Sequence, residues 1–203
     1  MIDELSFLTK RDPVLAEIAD HCECSIPEST NDIFYDLVTC VLEQQIHYRA
    51  RGVYVRKFMD VTEGLWPTAE LILTIDPHDF AKRKIAGNKL KTLQNLAHCW
   101  IDHDFDQINW HVLDDDEVRS HLAGIAGIGP WTINMILLYT LQRPDIFDPN
   151  DYQLKKVMAD SYGLRNDKSL TKEMTAIAAK WKPYRSSGVF LILAWRNQMK
   201  KQR

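Results

Sequence analysis

Two pieces of chemistry are spaced along one stretch of this chain, LAGIAGIGPWTINMILLYTLQRPDIFDPNDY, from Leu122 to Tyr152. The first is main-chain chemistry. Gly127-Ile128-Gly129 reads as a tight hairpin, because glycines tolerate positive backbone angles and leave their N–H groups uncovered. Pro130 suits the first turn of the helix that follows, where its missing donor costs nothing. N–H groups in a hairpin that feeds a helix N-terminus make a seat for a phosphate. The second piece is a carboxylate. Asp151 stands twenty residues beyond Trp131, after a short loop containing Pro149. An aspartate there caps the helix that follows. Kept ionised by that helix terminus, it also suits the stabilisation of a developing cation or the activation of a water. The two readings are compatible, and together they imply nucleic acid gripped by its backbone with a carboxylate held nearby.

These groups need elements to position them. Helix signals recur and strand alternation is nearly absent, which predicts an all-α fold of roughly ten helices with short joints. Asp12-Pro13 reads as a cap and first-turn proline before VLAEIADH. STND at 29–32 precedes IFYDLVTCVLEQQ, and Tyr48–Met59 follows. Pro67 and Asp76-Pro77 each open a short helix, Asn88 precedes KLKTLQNLAHCWI, and Asp114 precedes DDEVRSHL. Later helices start near Tyr152, run from Ser169 to Lys180, and run from Tyr184 to about Lys200. The run from Pro130 to Gln142 is apolar nearly all round, which places it in the interior. Trp131, Met135 and Leu138 share one of its faces, and by pattern alone that stripe reads as core.

Composition narrows the classes. The 45% apolar and 26% charged residues over 203 positions suit one sizeable domain, or a two-lobed one, of ordinary soluble type. No apolar run approaches the roughly 18 residues of a membrane span, and the start MIDELSFLTKRDPV lacks the layout of a signal peptide. The expected location is cytosolic, or nuclear in a eukaryote. Cys22, Cys24, Cys40 and Cys99 are too sparse for a zinc or iron–sulfur quartet. A net charge of −3 argues mildly against a nucleic-acid partner. Base is nonetheless concentrated in Arg49–Lys57, in Lys82–Lys91 and at the C-terminus, each run reading first as a solvated helix face.

At GIGPWT and its aspartate the chain resembles the helix–hairpin–helix, Gly/Pro-loop, Asp superfamily of DNA glycosylases. Within it, the chain is most similar to the 3-methyladenine DNA glycosylase II family. LVTCVLEQQIHYRA at 37–50 resembles that family's glutamine-containing loop, and WKPYRSSG at 181–188 resembles its W-x-P-x-R-S signature. The likeness runs from about Asp32 to Trp195. Gly188 stands where alanine is common and Tyr184 where tryptophan is common. The β-rich N-terminal domain of some relatives has no counterpart, which implies the compact form. Trp131 replaces the lysine of the strand-cleaving branch, and the cysteines of the iron–sulfur branch are missing.

The resemblance implies roles. It makes Asp151 catalytic and makes Gln45 the plug that fills the gap left by a flipped base. His47 would touch the minor groove beside it, and Gly127 and Gly129 would contact phosphate, with Thr132 as a hydroxyl donor. Trp131, Tyr152 and Tyr184, with Met135 as a softer wall, would line the base pocket, where aromatic faces attract a cationic base by ~0.5–2 kcal/mol. Main-chain carbonyls of Ala123, Ile125 and Ile128 would hold Na⁺ or K⁺, with no other cofactor. Arg185 either contacts DNA or ties the last helix to its neighbours. The expectation is a single two-lobed domain over 1–203, monomeric, with the active-site cleft between its lobes. Its partner is duplex DNA carrying alkylated bases, whose N-glycosidic bond it hydrolyses. The rival is a non-catalytic helix–hairpin–helix protein that binds DNA structure.

Overall fold

The computed structural model describes residues 2–23, 26–46 and 51–201. Among these residues the chain forms twelve α-helices and no β-strand, and no helix is long and apolar enough to cross a membrane. They fall into two compact units. One is contiguous, Ser29–Ile136; the other joins Met1–Glu28 to Leu137–Arg203.

The contiguous unit holds α3 (Ile33–Glu43), α4 (Arg51–Val61), α5 (Ala69–Thr74), α6 (Pro77–Lys82), α7 (Gly87–Asp102), α8 (Asp115–Ala123) and α9 (Pro130–Met135). Local chemistry sets most of their starts. Asp32 caps α3 through Tyr35 N, Asp76 caps α6 through His78 N, and Asp114 forms a reciprocal capping box with Glu117 on α8. The long α7 is central, packing against α3, α5 and α6. Leu93, Leu96 and Ala97 of α7 are fully buried, as are Leu37, Val38 and Val41 of α3. Trp100, near its end, stacks on Trp110 with ring centroids 5.7 Å apart.

The second unit holds α1 (Ile2–Thr9), α2 (Pro13–His21), α10 (Tyr152–Tyr162), α11 (Leu170–Ala179) and α12 (Arg185–Lys201). Asp12 is its polar centre, only 3% exposed. One carboxylate oxygen caps α2 through Val14 N and Leu15 N. The other accepts Tyr162 Oη at 2.9 Å and Trp181 Nε1 at 2.8 Å. Burying a carboxylate is costly unless donors surround it, and here four do.

Several sequence expectations shift. The helix α1 was not foreseen; Asp3 and Glu4 sit favourably in its first turn and Leu8 is fully buried. The run expected from Ile33 to Gln45 stops at Glu43, with Gln44 as C-cap. Thr68, not Pro67, caps α5, and α7 starts at Gly87 rather than after Asn88. The helix expected over Pro130–Gln142 is α-helical only to Met135, then widens into a π turn over Ile136–Thr140. Gln142, at φ 49°, ends it, and Arg143 N–H reaches back to Leu137 O at 2.8 Å. Leu138 is buried, whereas Trp131 and Met135, expected on the same face, are half-buried. The basic run Lys82–Lys91 is not uniformly solvated. Lys82 and Arg83 pair with Asp79 and Asp60 at the surface, but Lys89 is 8% exposed.

Candidate functional site

In the contiguous unit, the turn 124–129 joins α8 to α9. Ile125 N–H donates to Leu122 O, and Ile128 N–H donates to Ile125 O at 3.0 Å. The side chains of Ile125 and Ile128 are buried, while Ala123 and Ala126 are exposed. Its two hairpin glycines are held differently. Gly127 has φ +97°, and a Cβ there would sit 2.5 Å from the Thr92 side chain. Gly129 lies in an extended conformation as the N-cap of α9, and a Cβ there would meet nothing within 4 Å. Packing therefore demands the first glycine, while the second leaves open space beside a helix start.

Thr132 is 1% exposed. Its Oγ1 accepts Gln44 Nε2 at 3.1 Å, and the same amide donates to Gly127 O at 3.2 Å. Asn95 Nδ2 donates to Ala126 O. Gln45 follows Gln44 in a left-handed conformation, φ 58°, and is exposed. His47 lies outside the described residues.

In the other unit, Asp151 caps α10, its Oδ1 accepting Leu154 N at 2.7 Å. Its own N–H donates to Asp148 O, and the buried Asp148 accepts Asn150 N at 2.8 Å. The carboxylate thus stands on a turn knitted by its own backbone. Tyr152, next along, is 71% exposed. Tyr184 meets Phe7 edge to face, with centroids 5.1 Å apart. Of the expected pocket residues, Trp131 and Met135 belong to the contiguous unit and Tyr152 and Tyr184 to this one.

The W-x-P-x-R-S segment fixes the loop that leads to Asp151. Arg185 grips Asp145 with Nε to Oδ1 at 2.7 Å and Nη2 to Oδ2 at 3.0 Å, and donates from Nη2 to Asp145 O as well. Such a two-pronged pair is stronger and more directional than a point contact. Ser186 Oγ accepts Ile146 N–H and donates to Arg143 O. Phe147 packs edge-on against Trp181. Arg185 is thereby a tie between the last helix and a neighbouring loop. Gly188 also gains a reason, since an added Cβ would lie 2.7 Å from Trp181 Cε3.

No protein-family model matches the chain. The alkylbase DNA glycosidase-like protein mag2 of Schizosaccharomyces pombe is 34% identical over 172 residues, covering 83% of this chain and 78% of that protein. The chain belongs to the helix–hairpin–helix DNA glycosylases. A DNA-3-methyladenine glycosylase of Bacillus subtilis is 27% identical over 175 residues, covering 81% of this chain and 57% of that protein. The solved 3-methyladenine DNA glycosylase of S. pombe in complex with abasic DNA shares the fold. Its TM-score is 0.82 at 18% identity, over 97% of each chain. Against curated relatives this chain spans 55% and 57% of two from B. subtilis and 69% of two from yeasts.

Within this glycosylase-family chain, sequence reasoning missed Thr92, Asn95 and Asp145, and it quoted Gln44 and Ser186 in their motifs without their contacts. Gln44 sits beside the expected Gln45, so the doubled glutamine was a usable signal. The others act on partners 31 to 43 residues away, and one chain read by itself carries no mark of such pairings.

Proposed function

We propose that this chain hydrolyses the N-glycosidic bond of alkylated purines in duplex DNA, chiefly 3-methyladenine, and leaves an abasic site in an unbroken strand. The observation that carries the reading is Asp151, fixed at the start of α10 by its own turn and by the Arg185–Asp145 clamp. Departure of a base builds positive charge on the sugar, and a fixed carboxylate stabilises that charge without reorganising. It also suits orienting a water for attack. Alkylation at a ring nitrogen makes the base cationic and already a good leaving group, so no general acid is required.

Gln45, exposed on its left-handed turn, is assigned to fill the vacated stack. The open space at Gly129 admits a phosphate against main-chain N–H groups. Trp131, Met135, Tyr152 and Tyr184 are assigned to the base. The carbonyls of Ala123, Ile125 and Ile128 are assigned to Na⁺ or K⁺ on the family resemblance alone. Such a cation would add positive charge beside the phosphate. We assign the chain to the compartment that holds DNA, acting as a monomer.

The test is base release from a panel of single-lesion duplexes, quantified by chromatography, with borohydride present in a parallel series. The expected result is free 3-methyladenine or 7-methylguanine, an intact strand and no covalent adduct. Tight duplex binding with no base released from any lesion would favour a DNA-structure-binding module. A trapped adduct lost on mutating a lysine would point to strand cleavage.

A further inference from the structure

The two DNA-facing features of the contiguous unit, the Gln45 turn and the glycine hairpin, are more than eighty residues apart in sequence. They are joined by a small polar assembly whose members have no other evident task. Lys89 is buried at the start of α7, yet its ammonium donates to Val41 O at 2.8 Å and Gln44 O at 2.9 Å. These are carbonyls at the end of α3, where helical partners run out; Val41 O takes besides only a long contact from Gln44 N–H at 3.4 Å among the main-chain bonds of the described residues. Burial pushes the lysine below its ordinary value of 10.5, so the group is kept against a desolvation cost. Gln44, held at its carbonyl by Lys89, spends its side-chain amide on Gly127 O and Thr132 Oγ1. Farther along α7, Thr92 lies under Gly127 and Asn95 donates to Ala126 O. Lys89, Thr92 and Asn95 are three residues apart in turn, so α7 presents one continuous face to both features. Gln45 itself occupies the left-handed position after a helix end, a place glycine usually takes.

We propose that Gln44, anchored by Lys89, is a positioning residue that holds the Gln45 turn and the phosphate-seating hairpin in one frame. Gripping the backbone then fixes where the plug enters the duplex. Supporting contacts of this kind decide whether a working group stands at its productive geometry. The inference rests on the reading of the chain as a base-flipping glycosylase.

The test uses the full chain and a 7-methylguanine lesion in a duplex and in a single strand, under single-turnover conditions. Gln44→Met keeps the length of the side chain and removes both donor bonds; Gln44→Glu keeps the length and replaces the donor by an acceptor. Both should lose about tenfold in rate on the duplex, the worth of one to two neutral hydrogen bonds, and less than twofold on the single strand. Adding Gln44→Met to Gln45→Ala should cost nothing further on the duplex, because a misplaced plug and a missing plug are equivalent. Equal losses on both substrates, or full additivity with Gln45→Ala, would overturn the proposal, as would wild-type duplex rates in either variant. Absence of base release by the unaltered protein both from this lesion and from a 3-methyladenine duplex would instead overturn the functional reading on which it rests.

Discussion

Asp151 caps α10, the function proposed above gives the same carboxylate the chemistry, and a single substitution separates the two roles. Asparagine is as good an N-cap as aspartate, so Asp151→Asn keeps the bond to Leu154 N and removes only the charge. Base release should fall by roughly 10²–10³, the worth of one strong electrostatic stabiliser, while affinity for lesion duplex stays within severalfold. A variant retaining more than about a tenth of the activity would remove Asp151 from the chemistry. The cap at Asp151 was legible in the sequence because it rests on near neighbours, the loop before it and the helix after it. Arg185 was not, because its role depends on Asp145, 40 residues away. Gln44 was hidden by its neighbour: family likeness drew the reading to the exposed Gln45, and the half-buried amide beside it carries the contact to the hairpin.

Among the elements, the hairpin offers the cleanest separation of fold from contact. Gly129→Ala fits its space and its backbone angle, so the thermal midpoint should stay within about 2 °C, a shift below 1 kcal/mol. Affinity for any duplex should nevertheless drop, because the new methyl occupies the side left open to a phosphate. Gly127→Ala should instead lower the midpoint, since it drives a methyl into Thr92 at a positive φ. Calorimetry beside an equilibrium titration with lesion-free duplex checks both; unaltered affinity in Gly129→Ala would take the hairpin out of the phosphate contact. Helix starts were read well wherever a side chain caps its own turn, as at Asp32, Asp76, Asp114 and Asp151. Ends were read less well. Nothing local to Met135 announces the π turn that follows it, and Glu43 is succeeded by two good helix formers that the fold uses for other purposes.

At the scale of the whole molecule, the unit containing both chain ends is organised around a buried carboxylate, and this gives it a pH signature. Burial, then the charge of Asp12 and the hydrogen bond to it, hold the Tyr162 phenol far above its ordinary value of 10.0. Above pH 10 an unfolded tyrosine releases its proton while folded Tyr162 keeps it. The native state then binds more protons than the unfolded one, so stability falls as pH rises, by about 1.4 kcal/mol per pH unit for this one group. Tyr162→Phe should be less stable at pH 9, having lost the bond to Asp12, yet should lose less than the unaltered chain between pH 9 and 11. Urea midpoints at the two values test this, and parallel losses in both proteins would sink it.

The division of the chain also sets an order of events during synthesis. The unit Ser29–Ile136 is contiguous and has every residue it needs once Ile136 has emerged from the ribosome. The other unit must wait. Asp12 is made early, but the indole it bonds belongs to Trp181, 169 residues later. At roughly 5–20 residues per second, α1 and α2 spend on the order of 10–30 s with their apolar faces uncovered. Their window of vulnerability to aggregation or to a chaperone closes only when the last helix arrives.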